Sequence, residues 1–453
     1  MKNYAIILAS GAGERSGLDM PKQFVKIAGK SVLEHTLKVF QENIHIDQII
    51  VVTNSAYVNF TEGLIRKNNF SKVTEVVKGG DTRRKSSYIG INTIREENAK
   101  VLIHDAVRPF ITSRIIDDCI SALDKYKAVD VAITSADTII KVKEENVIED
   151  IPARKYLRRG QTPQAFDLKI IKKAHELANC DKNVVVTDDC GLIMKYGLAD
   201  VYVVEGDDSN IKITYPIDVA IADKLFQLKT YNGEAKDLSK LNDKTIVVFG
   251  GNSGIGLSIC KIAKELDAKV YPYSRSNGVD ITNIESVKSA LEKVYAEEGS
   301  VDYVINTAGI LVYGEINTRV SDDIENEIKT NYFGCINVAQ AAYKYLEKSK
   351  GGLLFFSSSS YTRGRKNYAV YSSSKAAVVN FTQALSEEWE DSGINVNVIV
   401  PERTATPMRL NSFGKEPESS LLSPNYVAEI ALNTLLDNVT GQVINVSNDK
   451  TIQ

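Results

Sequence analysis

Short apolar runs rich in Ile and Val alternate along the chain with longer stretches whose apolar positions recur at helical spacing. Tyr4-Ala5-Ile6-Ile7-Leu8-Ala9, Gln48–Thr53 and Lys100–His104 predict buried strands in the first half. Thr245–Phe249, Lys269–Tyr273 and Leu353–Phe356 predict them in the second. Strands buried on both faces and separated by helices imply an α/β fold with parallel, doubly wound sheets. One segment departs from this rhythm. Thr138–Lys143 and Val147–Ile151 flank Glu144-Glu145-Asn146 and predict a β-hairpin projecting from the first half.

The helical period ends at Leu228, and Thr230–Asp237 is polar without an apolar period. The expected organisation is a domain over 1–228, a linker over 229–242 and a second domain over 243–453. The 453 residues suit two cores better than one. The loops of the halves differ too much for an internal repeat.

Composition narrows the field by exclusion. With 43% apolar and 25% charged residues the chain is of globular type, and a net charge of −3 gives no reason to expect nucleic acid or an anionic membrane as partner. No apolar run approaches bilayer length, and no signal-peptide pattern precedes the first strand. Five scattered cysteines and four histidines form no metal-site spacing, which points to a reducing cytoplasm and away from zinc chemistry.

Each half opens with a strand that runs into glycines. A strand–glycine–helix turn presents backbone N–H groups at the positive end of a helix, which suits phosphate. The first reads Ser10-Gly11-Ala12-Gly13-Glu14-Arg15, followed by Pro21-Lys22-Gln23-Phe24. It is neither a GxxxxGK[ST] loop nor a complete dinucleotide fingerprint. Asp105 and Arg108, in His104–Pro109, follow an apolar strand, and strand ends are where α/β sheets bind ligands. With Gly79–Ser87, Thr162-Pro163-Gln164, Thr187-Asp188-Asp189 and Asn210-Ile211-Lys212 in order, residues 1–228 resemble the sugar-phosphate cytidylyltransferase family. That family includes the methylerythritol-phosphate and ribitol-5-phosphate enzymes.

The resemblance implies that a sugar-phosphate oxygen attacks the α-phosphorus of CTP. Arg15, Lys22 and Lys212 would stabilise the crowded phosphorus, and Asp105 would hold Mg²⁺. Ala9, Gly11, Ala12, Gly13, Arg108 and Thr187 would line the substrate site, with Gly80 and Ser86 or Ser87 recognising cytosine. Thr138 and Arg154 would grip the sugar phosphate from the hairpin arm of a partner subunit, so a homodimer is expected.

The second turn reads Gly250-Gly251-Asn252-Ser253-Gly254-Ile255-Gly256. After the next predicted strand come Ser274 and Arg275 rather than an acidic residue, which favours the 2′-phosphate of NADPH. Tyr371 and Lys375 lie one helical turn apart, and a nearby ammonium is expected to lower the phenol's pKa. With Asn306-Thr307-Ala308-Gly309, Asn331 and Ser358, residues 243–449 resemble the short-chain dehydrogenase/reductases, a Rossmann-like fold. By that resemblance Ser358 orients a carbonyl, Tyr371 transfers the proton, Lys375 binds the nicotinamide ribose and Asn331 anchors a relay water. Gly250, Gly254, Ile255, Gly256, Asn306, Ala308 and Gly309 would line the cofactor, with Asp280 near the adenine.

The chain departs from that family's pattern at Phe249, Thr307 and Glu402. Residues 401–423 read as a substrate-covering loop, with Arg403 and Arg409, and Arg363 and Arg365 upstream, as candidate phosphate ligands.

A reductase makes the alcohol that a cytidylyltransferase needs. The pair therefore resembles the bifunctional ribulose-5-phosphate reductase/CDP-ribitol pyrophosphorylases of bacterial capsule synthesis. The expected steps are reduction of ribulose 5-phosphate to ribitol 5-phosphate by NADPH, then cytidylyl transfer to give CDP-ribitol. The alternatives are a methylerythritol-phosphate cytidylyltransferase fused to a reductase of unrelated substrate, or to a non-catalytic NADP-binding module.

Overall fold

The computed structural model describes residues 1–11, 20–144, 146–228, 236–437 and 439–447. Ala12, Gly13 and Arg15, and residues 229–235 of the expected linker, lie outside them. The chain forms two compact units, Met1–Asp223 and Lys224–Gln453.

In the first unit an eight-stranded sheet carries, in spatial order, Arg158–Gly160, Ala128–Thr134, Gln164–Asp167, Ala99–Asp105, Lys2–Ala9, Gln48–Thr53 and Val73–Lys78, with Val201–Glu205 paired to Ala128–Thr134. Successive residues of Lys2–Ala9 enter opposite cores: Ala5, Ile7 and Ala9 join one cluster, Tyr4, Ile6 and Leu8 the other. A strand with two buried faces cannot alternate apolar with polar, which is why it reads as a continuous apolar run. The sheet is mixed, not all parallel. Gln164–Asp167 runs antiparallel to both Ala99–Asp105 and Ala128–Thr134, and Arg158–Gly160 antiparallel to the latter. The chain leaves the sheet after Thr134 for the hairpin and returns from the far side, so the re-entering strands point the other way.

The hairpin is shorter than its apolar pattern predicts, with strands Lys141–Val142 and Ile148–Asp150. Ile139, Ile140, Val142, Val147, Ile148 and Ile151 are all exposed.

The second unit holds six strands in the order Lys269–Tyr273, Thr245–Phe249, Tyr303–Asn306, Gly352–Phe356, Asn395–Pro401 and Val443–Val446, every pair parallel. The order reverses beside Thr245–Phe249, and such a switch point opens a crevice at the strand ends. Val247 and Phe249 face one core, Ile246 and Val248 the other. Leu241, from the end of the expected linker, is fully buried in that second core, with Leu238 packed against it. Residues 401–423 are more structured than a loop: Pro407–Phe413 is a helix opened by a Thr406 cap, and Thr404 bridges to Leu422.

Candidate active sites

The first constellation gathers at the C-terminal ends of the central strands of the first unit. Gln23 donates from Nε2 to the carbonyls of Ala9 (2.7 Å) and Gly11 (3.0 Å), which fixes the start of the glycine loop beside Lys22. Ser10 Oγ meets Ser86 Oγ at 2.8 Å, and Ser86 also bonds the backbone of Gly80. Asp105 is buried, with Lys212 Nζ 2.8 Å from Oδ2 and Arg83 Nε 3.5 Å from Oδ1. Burial opposes ionisation of Asp105, yet Arg83 and Lys212 outweigh it and hold the carboxyl well below its ordinary range. Arg108 donates to the Asn210 carbonyl at 2.8 Å, tying the Asp105 strand end to the Lys212 segment.

Behind these groups lies a network that motif reading did not single out. Asp189, fully buried, accepts from Arg83 NH1 (2.7 Å), Ser87 Oγ (2.8 Å) and His175 Nε2 (2.9 Å). Arg83 therefore bridges two carboxylates, and their charge raises its pKa although burial works against it. Ser87 is turned into this network, whereas Ser86 stands next to Gly80. The signal was present in the quoted Gly79–Ser87 and Thr187–Asp189 motifs, but only the fold joins residues 102 positions apart.

Thr138 and Arg154 are exposed and meet through Arg154 NH2 to Thr138 Oγ1 at 2.8 Å, at the base of the hairpin. Thr187 is exposed just ahead of the helix Asp189–Lys195. Among the described residues no group of three or more His, Cys, Asp or Glu is arranged to hold a metal. A single carboxylate still suits Mg²⁺, which keeps waters and takes its remaining ligands from substrate phosphates. Asp105 has the right chemistry for that.

The second constellation lines a cavity of about 560 Å³ in the second unit. Its floor is the glycine turn. Gly250 has φ +83°, and a Cβ there would fall 2.6 Å from the Ala308 nitrogen; one on Gly256 would strike the Gly250 carbonyl oxygen at 2.3 Å. The helix Gly254–Glu265 begins without a side-chain cap, which leaves its first N–H groups open to the cavity, an arrangement that suits an anion. At the next strand end Asn252 Nδ2 donates to Ser274 Oγ (2.7 Å) and Ser276 Oγ (3.0 Å), with Arg275 exposed between the serines. Asp280, also on the wall, accepts at Oδ1 from the Thr282 amide (2.9 Å) and hydroxyl (2.8 Å). The Thr307 hydroxyl donates to the Phe249 carbonyl at 3.0 Å, so its departure from the family's usual Asn preserves a link between strands.

Ser358, Tyr371, Lys375, Ala308 and Gly309 line the same cavity. Lys375 is buried, and its Nζ donates to the Phe356 carbonyl at 2.9 Å. Ser357 Oγ donates to the Lys375 carbonyl at 2.7 Å, a support the motif did not reveal. Asn306 bonds the Ala308 amide at 3.2 Å. Asn331, in a π-helical turn Lys329–Phe333, clamps Ile310 through both amide ends (2.8 and 2.9 Å) and reaches Ser374 Oγ at 3.3 Å.

The expected lowering of the tyrosine pKa is not what the structure shows. Burial pushes Tyr371 up to about 12, against the pull of a hydrogen bond to Ser358, and Glu327 adds to the rise. Lys375 is itself pushed down by burial. Burial sets the direction, while Ser358 and Arg409 pull the other way; Lys375 Nζ lies 5.7 Å from the Tyr371 ring centroid. Glu327 is fully buried one turn before Asn331. It accepts from Arg319 NH1 at 2.7 Å and from the Val312 amide at 3.1 Å.

Of the arginines proposed for a substrate phosphate, Arg365, Arg403 and Arg409 line the cavity; Arg363 is not among its lining residues.

Comparison with known proteins follows the division into halves. The family model for 2-C-methyl-D-erythritol 4-phosphate cytidylyltransferase matches residues 4–228, and that for short chain dehydrogenase matches residues 277–417. Over 454 aligned residues, 98% of this chain and 96% of the relative, the sequence is 45% identical to the bifunctional ribulose 5-phosphate reductase/CDP-ribitol pyrophosphorylase Bcs1 of Haemophilus influenzae. It is 38% identical to the ribitol-5-phosphate cytidylyltransferase of Lactiplantibacillus plantarum, covering 50% of this chain and 99% of that protein. Among solved structures, the 4-diphosphocytidyl-2C-methyl-D-erythritol synthase of Anaerococcus prevotii is 32% identical. It covers 50% of this chain and 98% of its own, with a TM-score of 0.45.

Proposed function

Because the chain belongs to the family of bifunctional ribulose 5-phosphate reductase/CDP-ribitol pyrophosphorylases, we propose that it makes CDP-ribitol in two steps, one in each unit. The second unit reduces D-ribulose 5-phosphate to D-ribitol 5-phosphate, and the first transfers cytidylyl from CTP with release of pyrophosphate. The observation that carries this reading is the convergence of Ser358, Tyr371 and Lys375 on one cavity with the glycine turn. A module that only bound a dinucleotide would have no use for a buried proton donor.

In the reductase the nicotinamide cofactor supplies the hydride. Ser358 holds the ketone oxygen, Tyr371 gives it a proton, and Lys375 meets the cofactor ribose beside Gly309. Asn331 holds the 310 segment that walls the site and anchors the relay water. The exposed Arg275, with Ser274, Ser276 and no acidic residue on that turn, favours NADPH over NADH.

In the transferase little covalent work falls to the protein, so rate comes from placing two anions and neutralising them. Lys22, Lys212 and, by the family resemblance, Arg15 would neutralise the phosphates, and Asp105 would be the carboxylate for Mg²⁺. Binding of phosphates and metal would draw Lys212 away from Asp105. The exposed apolar hairpin with Thr138 and Arg154 supports a homodimer in which the arm reaches the partner's site. Among the described residues no helix is long and apolar enough to cross a membrane; we place the enzyme in the cytoplasm, supplying a capsule or related ribitol-phosphate polymer.

The test is a coupled assay with ribulose 5-phosphate, NADPH, CTP and Mg²⁺. NADPH loss and CDP-ribitol should appear together. Tyr371→Phe should abolish NADPH loss while ribitol 5-phosphate and CTP still yield CDP-ribitol. NADPH consumption undiminished in that variant would contradict the assignment, and turnover of methylerythritol phosphate in preference to ribitol 5-phosphate would favour the alternative transferase.

A further inference from the structure

The cavity of the second unit carries four guanidinium groups, and their partners set them apart. Arg275 stands after the strand Lys269–Tyr273, where the adenosine end of a bound dinucleotide would lie. The other three surround the reacting end. Arg409 is committed: its Nε and NH2 donate to the two carboxylate oxygens of Glu416 at 2.6 and 2.9 Å, and it lies 4.0 Å from the Phe413 ring centroid. Arg403 is 3.9 Å from the same carboxylate. Arg365 differs, since among the described residues no carboxylate lies within ion-pair distance of its guanidinium.

Arg365 also sits on a braced turn. Asn367 adopts φ +70°, its Nδ2 donates to Tyr313 Oη at 2.8 Å, and its carbonyl accepts from the Gly314 amide at 2.6 Å. The Arg365 amide donates to Ser372 Oγ and its carbonyl accepts from the Tyr368 amide, both at 3.4 Å. These bonds tie Arg365 to the first turn of the helix Ala369–Glu388, which carries Tyr371. Tyr368 meets Tyr313 at a tilt and Phe413 edge-on, with ring centroids 6.2 and 6.0 Å apart, giving the turn a firm wall.

We propose that Arg365 is the anchor for the phosphate monoester of the ketose substrate, with Arg403 as a second contact. Arg409 serves instead to close the wall through Glu416. The proposal rests on reading this unit as a ketose-phosphate reductase. A phosphate monoester carries close to two negative charges near neutral pH and pairs well with a planar guanidinium fork. An unpaired guanidinium gives up no other bond to do this, whereas Arg409 would have to surrender two charge-assisted bonds. With Arg275 taking the cofactor's 2′-phosphate, the cavity's two unpaired guanidinium groups answer its two terminal phosphates, one at each end.

The experiment compares NADPH oxidation by the full-length protein with D-ribulose 5-phosphate and with D-ribulose. The readout is the ratio of the two kcat/KM values, in wild type, Arg365→Gln, Arg365→Lys and Arg409→Gln. Loss of a charge-assisted pair predicts that Arg365→Gln lowers the ratio roughly 10- to 100-fold, mainly through KM for the phosphorylated ketose. Arg365→Lys should recover part of it, and Arg409→Gln should cost far less. A ratio in Arg365→Gln within about twofold of wild type, a larger loss in Arg409→Gln, or a KM for NADPH that rises in step would each overturn the assignment. Wild-type enzyme that showed no preference for the phosphorylated ketose would instead overturn the reading of the unit itself.

Discussion

Asp130 lies on the strand Ala128–Thr134 with no cation paired to it among the described residues. Its Oδ1 accepts from Gln164 Nε2 at 3.0 Å and from the Val131 amide at 3.0 Å. Burial pushes its pKa up from 3.8 to about 6; those two bonds and Arg83 pull down, while Asp188 adds to the rise. The folded protein thus binds this proton more tightly than the unfolded chain does. The stabilisation is full below the unfolded value near 3.8 and is lost as pH rises through about 6. Above that, the ionised carboxylate costs roughly 2–3 kcal/mol.

Asp130→Asn keeps an oxygen for both donors and removes the charge. It should stabilise the first unit by roughly 2–3 kcal/mol at pH 7.5 and by little at pH 3.5 or below. For a unit of this size that is roughly 4–12 °C in melting temperature. The single tryptophan, Trp389, belongs to the second unit. The shift should therefore be read by calorimetry rather than by tryptophan fluorescence. An equal shift at both pH values, or destabilisation at pH 7.5, would refute the reasoning.

Two further outcomes follow from the same kind of accounting. Asp189→Asn leaves the half-buried Arg83 with Asp105, at 3.5 Å, as its remaining carboxylate, and should cost roughly 1–3 kcal/mol while lowering cytidylyl transfer and leaving NADPH oxidation in place. Retained transfer at wild-type stability would show that Arg83 does not depend on it. Arg275→Ala should raise KM for NADPH at least about tenfold with little change for NADH, read from initial rates with each cofactor; equal changes for both would remove Arg275 from the 2′-phosphate site.

Much of the architecture could be read from the chain because burial on both faces of a sheet leaves a local mark. Tyr4–Ala9 and Thr245–Phe249 are unbroken apolar runs followed by glycines, and those two facts alone predict strands that end at phosphate sites. The Tyr371–Lys375 pair was legible for a similar reason, since helical spacing puts both on one face. The hairpin could be read too, though its strands came out shorter than its apolar residues, because those residues are not spent on pairing.

What the sequence determined by itself was local: which segments become strands and helices, where the turns fall, and which reactive groups share a turn or a motif. What it could not determine was which distant groups meet, or how far each is from water. Asp189 reaches Arg83 and Ser87 only because the sheet sets its helix against theirs. Tyr371 is pushed up rather than down because burial, a property of the whole fold, outweighs the pull of Ser358 and Arg409. Arg365, Arg403 and Arg409 are alike as letters, and only the placing of Glu416 leaves the first of them unpaired. Periodicity is written in neighbours, whereas desolvation and charge pairing depend on distances that folding alone supplies.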